Sequence, residues 1–350
     1  MVRIRTGWLV VVAALALGVA GCKKNDEKKT DQPTTGDKIT ESLKTDKALG
    51  APVSSVNGSS DDLSLLPVDS EMVLGLNFAQ LQQSALWKQY SPKLMEKMAG
   101  GLAEFKAACG FDPLDALKSM SMGMKGLGGQ KPDGAVVIHG PDKAKVLACL
   151  EKAKTEAAKK GTEITVDGDV FLVKDKSGDT SAFTFVNGNT LLGTMGSAGT
   201  KDGVLAAAKG TSALKTSQTF VEMYSKINTN ESLWILMNGN SPVFSKMGSM
   251  GVKPKAIFGS INLTDGLTVD MRMRLATADE ATSFVNMMKP QMTNPQVKSM
   301  VDKLDVGTEG TDVKVSVGMS SQKLQALIGM VGGMMGGMMG GGMGGGMGGP

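Results

Sequence analysis

The chain has one histidine, three cysteines and an aromatic content of 4% in 350 residues. Each shortage excludes a class of chemistry. A single histidine, His139, rules out an H-E-x-x-H zinc site or any multi-histidine centre supplied by this chain alone. No G-x-S-x-G occurs, so a serine nucleophile has no elbow to occupy. There is no C-x-x-C and no acidic loop with calcium spacing. Gly126-Leu127-Gly128-Gly129-Gln130-Lys131 comes nearest to a phosphate loop, but it lacks the G-K-[ST] ending and reads as a flexible connection. His139 falls at the end of an expected strand, before Gly140-Pro141, and reads as a strand-end residue rather than a general base. Asp167, Asp169, Asp175 and Asp179 lie close in sequence, but the first two flank a hairpin turn, which accounts for them without a metal. The charge balance is 38 basic against 34 acidic residues, which leaves no electrostatic footprint for nucleic acid or acidic membranes. These exclusions predict a non-enzymatic protein without a cofactor.

What the chain does have starts at its N-terminus. Arg3 and Arg5 precede an apolar stretch, Trp8 to Val19, which runs into Val19-Ala20-Gly21-Cys22. This is the pattern of a lipoprotein signal peptide over residues 1–21, with Cys22 as the acylated first residue of the mature chain. A transmembrane anchor is the competing reading, but only about 14 uncharged residues are available where roughly 20 are needed. The expected partner of the N-terminus is therefore a membrane, reached through lipid, in the bacterial cell envelope. Lys23, where an aspartate would favour the inner membrane, points to the outer one. Cys109 and Cys149 remain, an even pair in an oxidising compartment. A disulfide between them would close a loop of about 41 residues and stabilise the fold by roughly 3–4 kcal/mol. Two buried free thiols are the alternative.

Residues 22–61 interleave lysines with aspartates and glutamates, without aromatics or apolar periodicity, and read as a disordered tether. From about residue 62 the pattern changes. A strand is expected at Met72–Asn77, and a helical pattern runs from Leu81 through Trp87, Tyr90 and Met98. Pro92 is expected to break it, with a second helix from Leu102 to Cys109. Strands at Ser119–Met124 and Ala135–His139 precede a helix at Asp142–Lys159. Asp167-Gly168 and Asn187-Gly188 predict two tight hairpins, and Lys201–Ala208 a closing helix.

The second half follows similar logic. Ser232–Met237 reads as a strand with Leu233, Ile235 and Met237 on one face, and Pro242–Met250 as a short helix. A hairpin joins Ala256–Leu263 to Leu267–Leu275, whose Val269, Met271, Met273 and Leu275 point inward. Helices at Asp279–Met292 and Gln296–Leu304, a strand at Thr311–Met319 and a last helix at Gln322–Met330 complete it. The expected fold class is α+β: two related units, 62–210 and 211–330, of mainly antiparallel sheet with helices on one face. The lipobox, the run Leu65-Leu66-Pro67-Val68-Asp69-Ser70 into a strand and Trp-bearing helix, and Cys109-Gly110-Phe111-Asp112-Pro113 before a strand together resemble an uncharacterised family. Its members are duplicated α+β bacterial surface proteins and lipoproteins. The resemblance covers roughly Leu63 to Met330, supports the architecture and implies no activity.

Residues 331–350 are almost entirely glycine and methionine, with Met335, Met339, Met343 and Met347 on a four-residue period. Glycine loses the most entropy on ordering, so the tail reads as disordered low-complexity sequence. A glycine-zipper helix and soft-metal binding of Cu(I) by those four thioethers are the competing readings. The overall expectation is a membrane-anchored lipoprotein displaying its domain for binding or envelope structure, to a protein or apolar partner the sequence does not name. Two alternatives stand beside it. One is Cu(I) handling by the tail. The other is carriage of an apolar ligand between helices and sheet, in a core whose 26 methionines re-pack readily. That second alternative would be marked by an enclosed apolar pocket of at least ~300 Å³.

Overall fold

A computed structural model describes residues 62–127, 132–211, 213–241, 244 and 252–329. Among them one antiparallel sheet of 12 strands carries the whole architecture, in the order β11-β12-β10-β9-β8-β1-β2-β3-β7-β6-β5-β4. The first part of the chain supplies β1 (Met72–Asn77), β2 (Ser119–Lys125), β3 (Asp133–His139), β4 (Glu163–Asp167), β5 (Val170–Lys174), β6 (Thr180–Phe185) and β7 (Thr190–Met195). The second supplies β8 (Leu233–Asn238), β9 (Ala256–Asn262), β10 (Gly266–Arg274), β11 (Lys303–Glu309) and β12 (Asp312–Ser320). The two parts meet where β1 pairs with β8.

The helices are α1 (Phe78–Gln83), α2 (Ala85–Cys109), α3 (Pro113–Ala116), α4 (Lys143–Lys159), α5 (Lys201–Ala208), α6 (Gln218–Tyr224), α7 (Ala278–Met292), α8 (Pro295–Met300) and α9, residues 321–329. They pack on both faces of the sheet, which corrects the expectation of a single covered face. Val136 and Ile138 of β3 cluster with Val146 and Leu150 of α4. Their neighbours Ala135 and Val137 cluster with Val204 of α5 and Phe220 and Met223 of α6. The cause lies in β3, β6 and β7, which are buried at nearly every position, so both of their sides need cover. In the second part, Ala281 and Val285 of α7 pack on Met273 and Val313, on the same face as α4.

Three local expectations are also corrected. Pro92 breaks nothing: α2 runs unbroken for 25 residues. The break falls earlier, at Ser84, whose N–H donates to Leu81 O while its Oγ accepts from the Trp87 N–H at 3.0 Å, ending one helix and capping the next. Asn187-Gly188 does not form a two-residue turn. The loop spans Val186 to Asn189, and the Asn187 side chain accepts from the Asn189 N–H at 2.9 Å. The helix expected over Gln296–Leu304 ends at Met300, and Lys303–Glu309 is strand β11. Val297, Val301 and Leu304 mimic a helical repeat, but Leu304 and Val306 pair with Val317 and Val315 of β12. The helix expected at Pro242–Met250 lies outside the described residues, Ser241 and Phe244 flanking or within it apart.

Candidate functional site

Residues paired across a sheet share a face, so the register sorts the side chains of the central strands. One face carries Gly75, Trp234 and Leu236, over which α6 packs. The other carries three apolar rows that run across the strands. Met122, Leu74, Ile235, Gly259 and Met271 make the middle row. Met124, Met72, Met237 and Ile257 lie on one side of it, and Met120, Leu76, Leu233, Ile261 and Val269 on the other. Leu233, Ile235 and Met237 thus do share a face, as expected, but the fully buried residues of β8 are Trp234 and Leu236 opposite.

This central strip is the least finished part of the interior. Leu74, Met122, Ile235, Met237, Ile261 and Met271 are each only half-buried, and none belongs to the three core clusters. The described side chains of α2, the longest helix, join none of these clusters, although Phe105 is buried edge-on against Phe111. Yet α2 is held at both ends. The Ala85 N–H donates to Thr264 O at the β9–β10 turn, 3.3 Å away. At the other end Cys109 meets Cys149 of α4 with sulfurs at bonding distance and Cα atoms 4.5 Å apart, within the reach a disulfide needs. Lys160 and Glu104 add an ion pair at 3.7 Å. A 25-residue helix is about 37 Å long, enough to cross the roughly 29 Å from β10 to β7. α2 is thus anchored near the β9–β10 turn at one end and to α4 at the other.

The other candidate residues carry structural roles. His139 Nε2 lies 2.8 Å from Asp62 Oδ1 and Nδ1 lies 3.2 Å from Thr190 Oγ1. Asp62 and Thr190 are buried, so the trio clasps the start of the folded body to the ends of β3 and β7. Nothing in the sequence linked Asp62 to His139, 77 residues apart. In the described part of the glycine-rich loop, the Gly126 and Leu127 N–H groups donate to the Glu71 carboxylate. Asp167 pairs with Lys201 and Asp169 with Lys143, while Asp175 accepts from the Ser177 and Asp179 N–H groups in a turn. Among the described residues no three His, Cys, Asp or Glu side chains are grouped to hold a metal, and no helix is long and apolar enough to cross a membrane. Cys22, the signal peptide, the tether, and the tail with Met335, Met339, Met343 and Met347 lie outside the described residues.

Two cavities are the best formed among the described residues. One of about 100 Å³ lies between Pro67, Ala135, Thr194 and Ala207. The other, about 280 Å³, opens at the β9–β10 turn and is lined mainly by polar atoms of Asn262 to Thr268. Neither is the enclosed apolar pocket that would mark a closed ligand carrier. No protein-family profile, no curated protein and no solved structure matches the chain.

Proposed function

We propose that the protein is a non-enzymatic, lipid-anchored envelope lipoprotein that binds through the central apolar strip of its sheet. The observation that carries this reading is the strip itself. Three rows of half-buried Leu, Ile and Met across β1, β2, β8, β9 and β10 form a contiguous apolar surface, and such surfaces on folded proteins mark interaction sites. Methionine suits the task because its unbranched thioether adapts to varied partners. The anchor is Cys22, and the tether of residues 23–61 gives the body a reach of about 35 Å r.m.s. from the bilayer. Lys23 favours the outer membrane.

The body is a duplication, in line with the family resemblance. Running outward from the β1–β8 seam, β1-β2-β3 and β8-β9-β10 are consecutive antiparallel neighbours. Each set is followed by a helix on the same face, α4 or α7, and by a strand, β7 or β12, that returns beside β3 or β10. This correspondence supports two copies of one α+β unit, the first enlarged by the β4–β5 hairpin.

The anchor and the strip are tested separately. Cys22→Ala should abolish incorporation of a fatty-acid probe in cells; equal labelling would refute the lipid anchor. An environment-sensitive apolar dye should brighten on the full chain and lose most of that signal in Met237→Lys. A dye response untouched by that charge would remove the strip as the binding surface.

A further inference from the structure

We propose that two copies of this chain pair edge to edge through strand β11 and continue the sheet across a two-fold axis. This goes beyond the binding reading above and makes no use of the apolar strip. Among the described residues β11 closes one end of the sheet, with β12 beside it and α7 on one face. Its outer side therefore offers backbone N–H and C=O groups to a further strand. The order of charges along β11 singles out a second copy. In antiparallel self-pairing centred on Val306, which uses the whole strand, Lys303 of each copy faces Glu309 of the other. Both side chains are exposed, although Glu309 also pairs with Arg272 in its own copy. Asp305 then faces Gly307, Leu304 faces Thr308 and Val306 meets itself, so no like charges are directly opposed. The far edge differs: β4 paired with itself about Thr165 would set Glu163 against Asp167 twice. Charges that close both edges to an unrelated strand are thus complementary on β11, toward its own copy.

Gly307 is the second observation. It sits inside β11, outside the left-handed region, and a Cβ there would meet nothing within 4 Å. Neither conformation nor packing within one copy requires glycine, which weakens a strand. Close approach of another backbone does require it, and a missing side chain opposite Asp305 leaves room for the carboxylate. Dimensions agree. α7 packs over β11 and β12, with Val306, Val313 and Val315 beneath it. A helix above the middle of that pair lies about 5 Å from the proposed axis at the usual strand spacing. Two copies of α7 would then be about 10 Å apart, the ordinary distance between packed helices.

The test is disulfide capture of the purified full-length protein in detergent solution with oxidised glutathione. Val306→Cys should give a disulfide-linked dimer on non-reducing gels, because residues paired on the axis have Cα atoms about 4.5–5.5 Å apart. Asp305→Cys is the control, since its counterpart is displaced along the strand to about 8 Å, beyond disulfide reach. A several-fold excess of dimer at position 306 is the expected result. Equal capture at both positions, or none at 306, would overturn the pairing. Gly307→Glu has open space within one copy but sets a like charge against Asp305 of the other, so it should cut capture at 306 several-fold. If that variant melts several degrees lower, Lys303→Glu makes the same measurement on an exposed side chain, by opposing Glu309. Capture that neither charge reduces would overturn the proposal.

Discussion

Asp312 is 1% exposed, yet it meets two cations. Arg274 donates to both carboxylate oxygens, at 2.7 and 3.0 Å, and Lys226 to one of them at 2.9 Å. Arg274 also reaches Glu222 of α6 at 3.0 and 3.2 Å and lies 5.6 Å from the centre of the Phe258 ring. Burial pushes the Asp312 carboxyl up, but hydrogen bonds from Arg274 and Lys226, and their charges, outweigh it and hold it below its ordinary 3.8. A lowered carboxyl stabilises the fold fully above that ordinary value, and the contribution is lost as pH falls through the lowered one. Acid unfolding followed by near-ultraviolet circular dichroism should therefore be less steep in Asp312→Asn below about pH 4. Asp312→Ala should cost about 3–5 kcal/mol in urea unfolding, because it leaves Arg274 and Lys226 without their buried partner. Asp302 shows the contrast. Lys323 and Ser320 hold it down to about 2, but the pair is exposed and its removal should change stability little. Gly75 is needed for another reason: a Cβ there would lie 2.0 Å from Trp234 Nε1 across the β1–β8 pair. Gly75→Ala should cost about 1–3 kcal/mol by overpacking, measured as a lower urea midpoint with unchanged slope.

At the scale of elements, α2 and α4 form a pair with unequal support. Val146 and Leu150 root α4 in a core cluster, whereas the described side chains of α2 join none, Phe105 being buried near its C-terminal end. Hydrogen exchange should accordingly be faster along α2 than along α4, and faster still after reduction of the Cys109–Cys149 pair. Equal protection of the two helices would contradict that difference in support. On the chain-entropy account, a crosslink between cysteines 40 residues apart contributes about 3–4 kcal/mol, so Cys109→Ser with Cys149→Ser should lower stability by about that much. Mass spectrometry of alkylated, non-reduced protein should find neither thiol modified. The edge strands show a different economy. β4 presents Glu163 and Asp167 and β11 presents Lys303, Asp305 and Glu309, charges that discourage further strand pairing at either end of the long sheet.

For the whole molecule, the boundary expected between residues 210 and 211 does not divide the core. Leu214, Phe220, Met223, Ile227, Trp234 and Phe258 share one cluster with Val73, Ala135, Val137 and Leu192. The sheet is continuous through the β1–β8 pairing. A single calorimetric transition, with matching calorimetric and van't Hoff enthalpies, is the expected outcome for the full chain. Residues 62–210 and 211–330 expressed apart should each fail to give a cooperative transition. Two separated transitions would show that each unit closes its own core.

The sequence by itself determined the local elements wherever one physical signal dominated. Asp167-Gly168 allowed only a tight turn, Asp142 accepts from the Lys145 N–H at the start of α4, and alternating Val313, Val315 and Val317 could be satisfied only by a strand. With one histidine, the composition left no multi-histidine centre for this chain alone to supply. Periodicity failed where two periods coincided, as at Val297, Val301 and Leu304, and where a proline sat in a helix pinned at both ends by other contacts. The apolar run Ala135-Val136-Val137-Ile138 did signal a strand buried on both sides, which a one-faced sheet could not accommodate. Only the tertiary structure decided which apolar rows became core. Leu74 and Val73 are neighbours of equal character, yet Val73 is fully buried beneath the segment that leads from Asp62 while Leu74, on the opposite face, is only half-buried. That difference depends on which elements, far apart in the chain, come to lie over each face, and hydrophobicity read along a sequence carries no record of what packs above it.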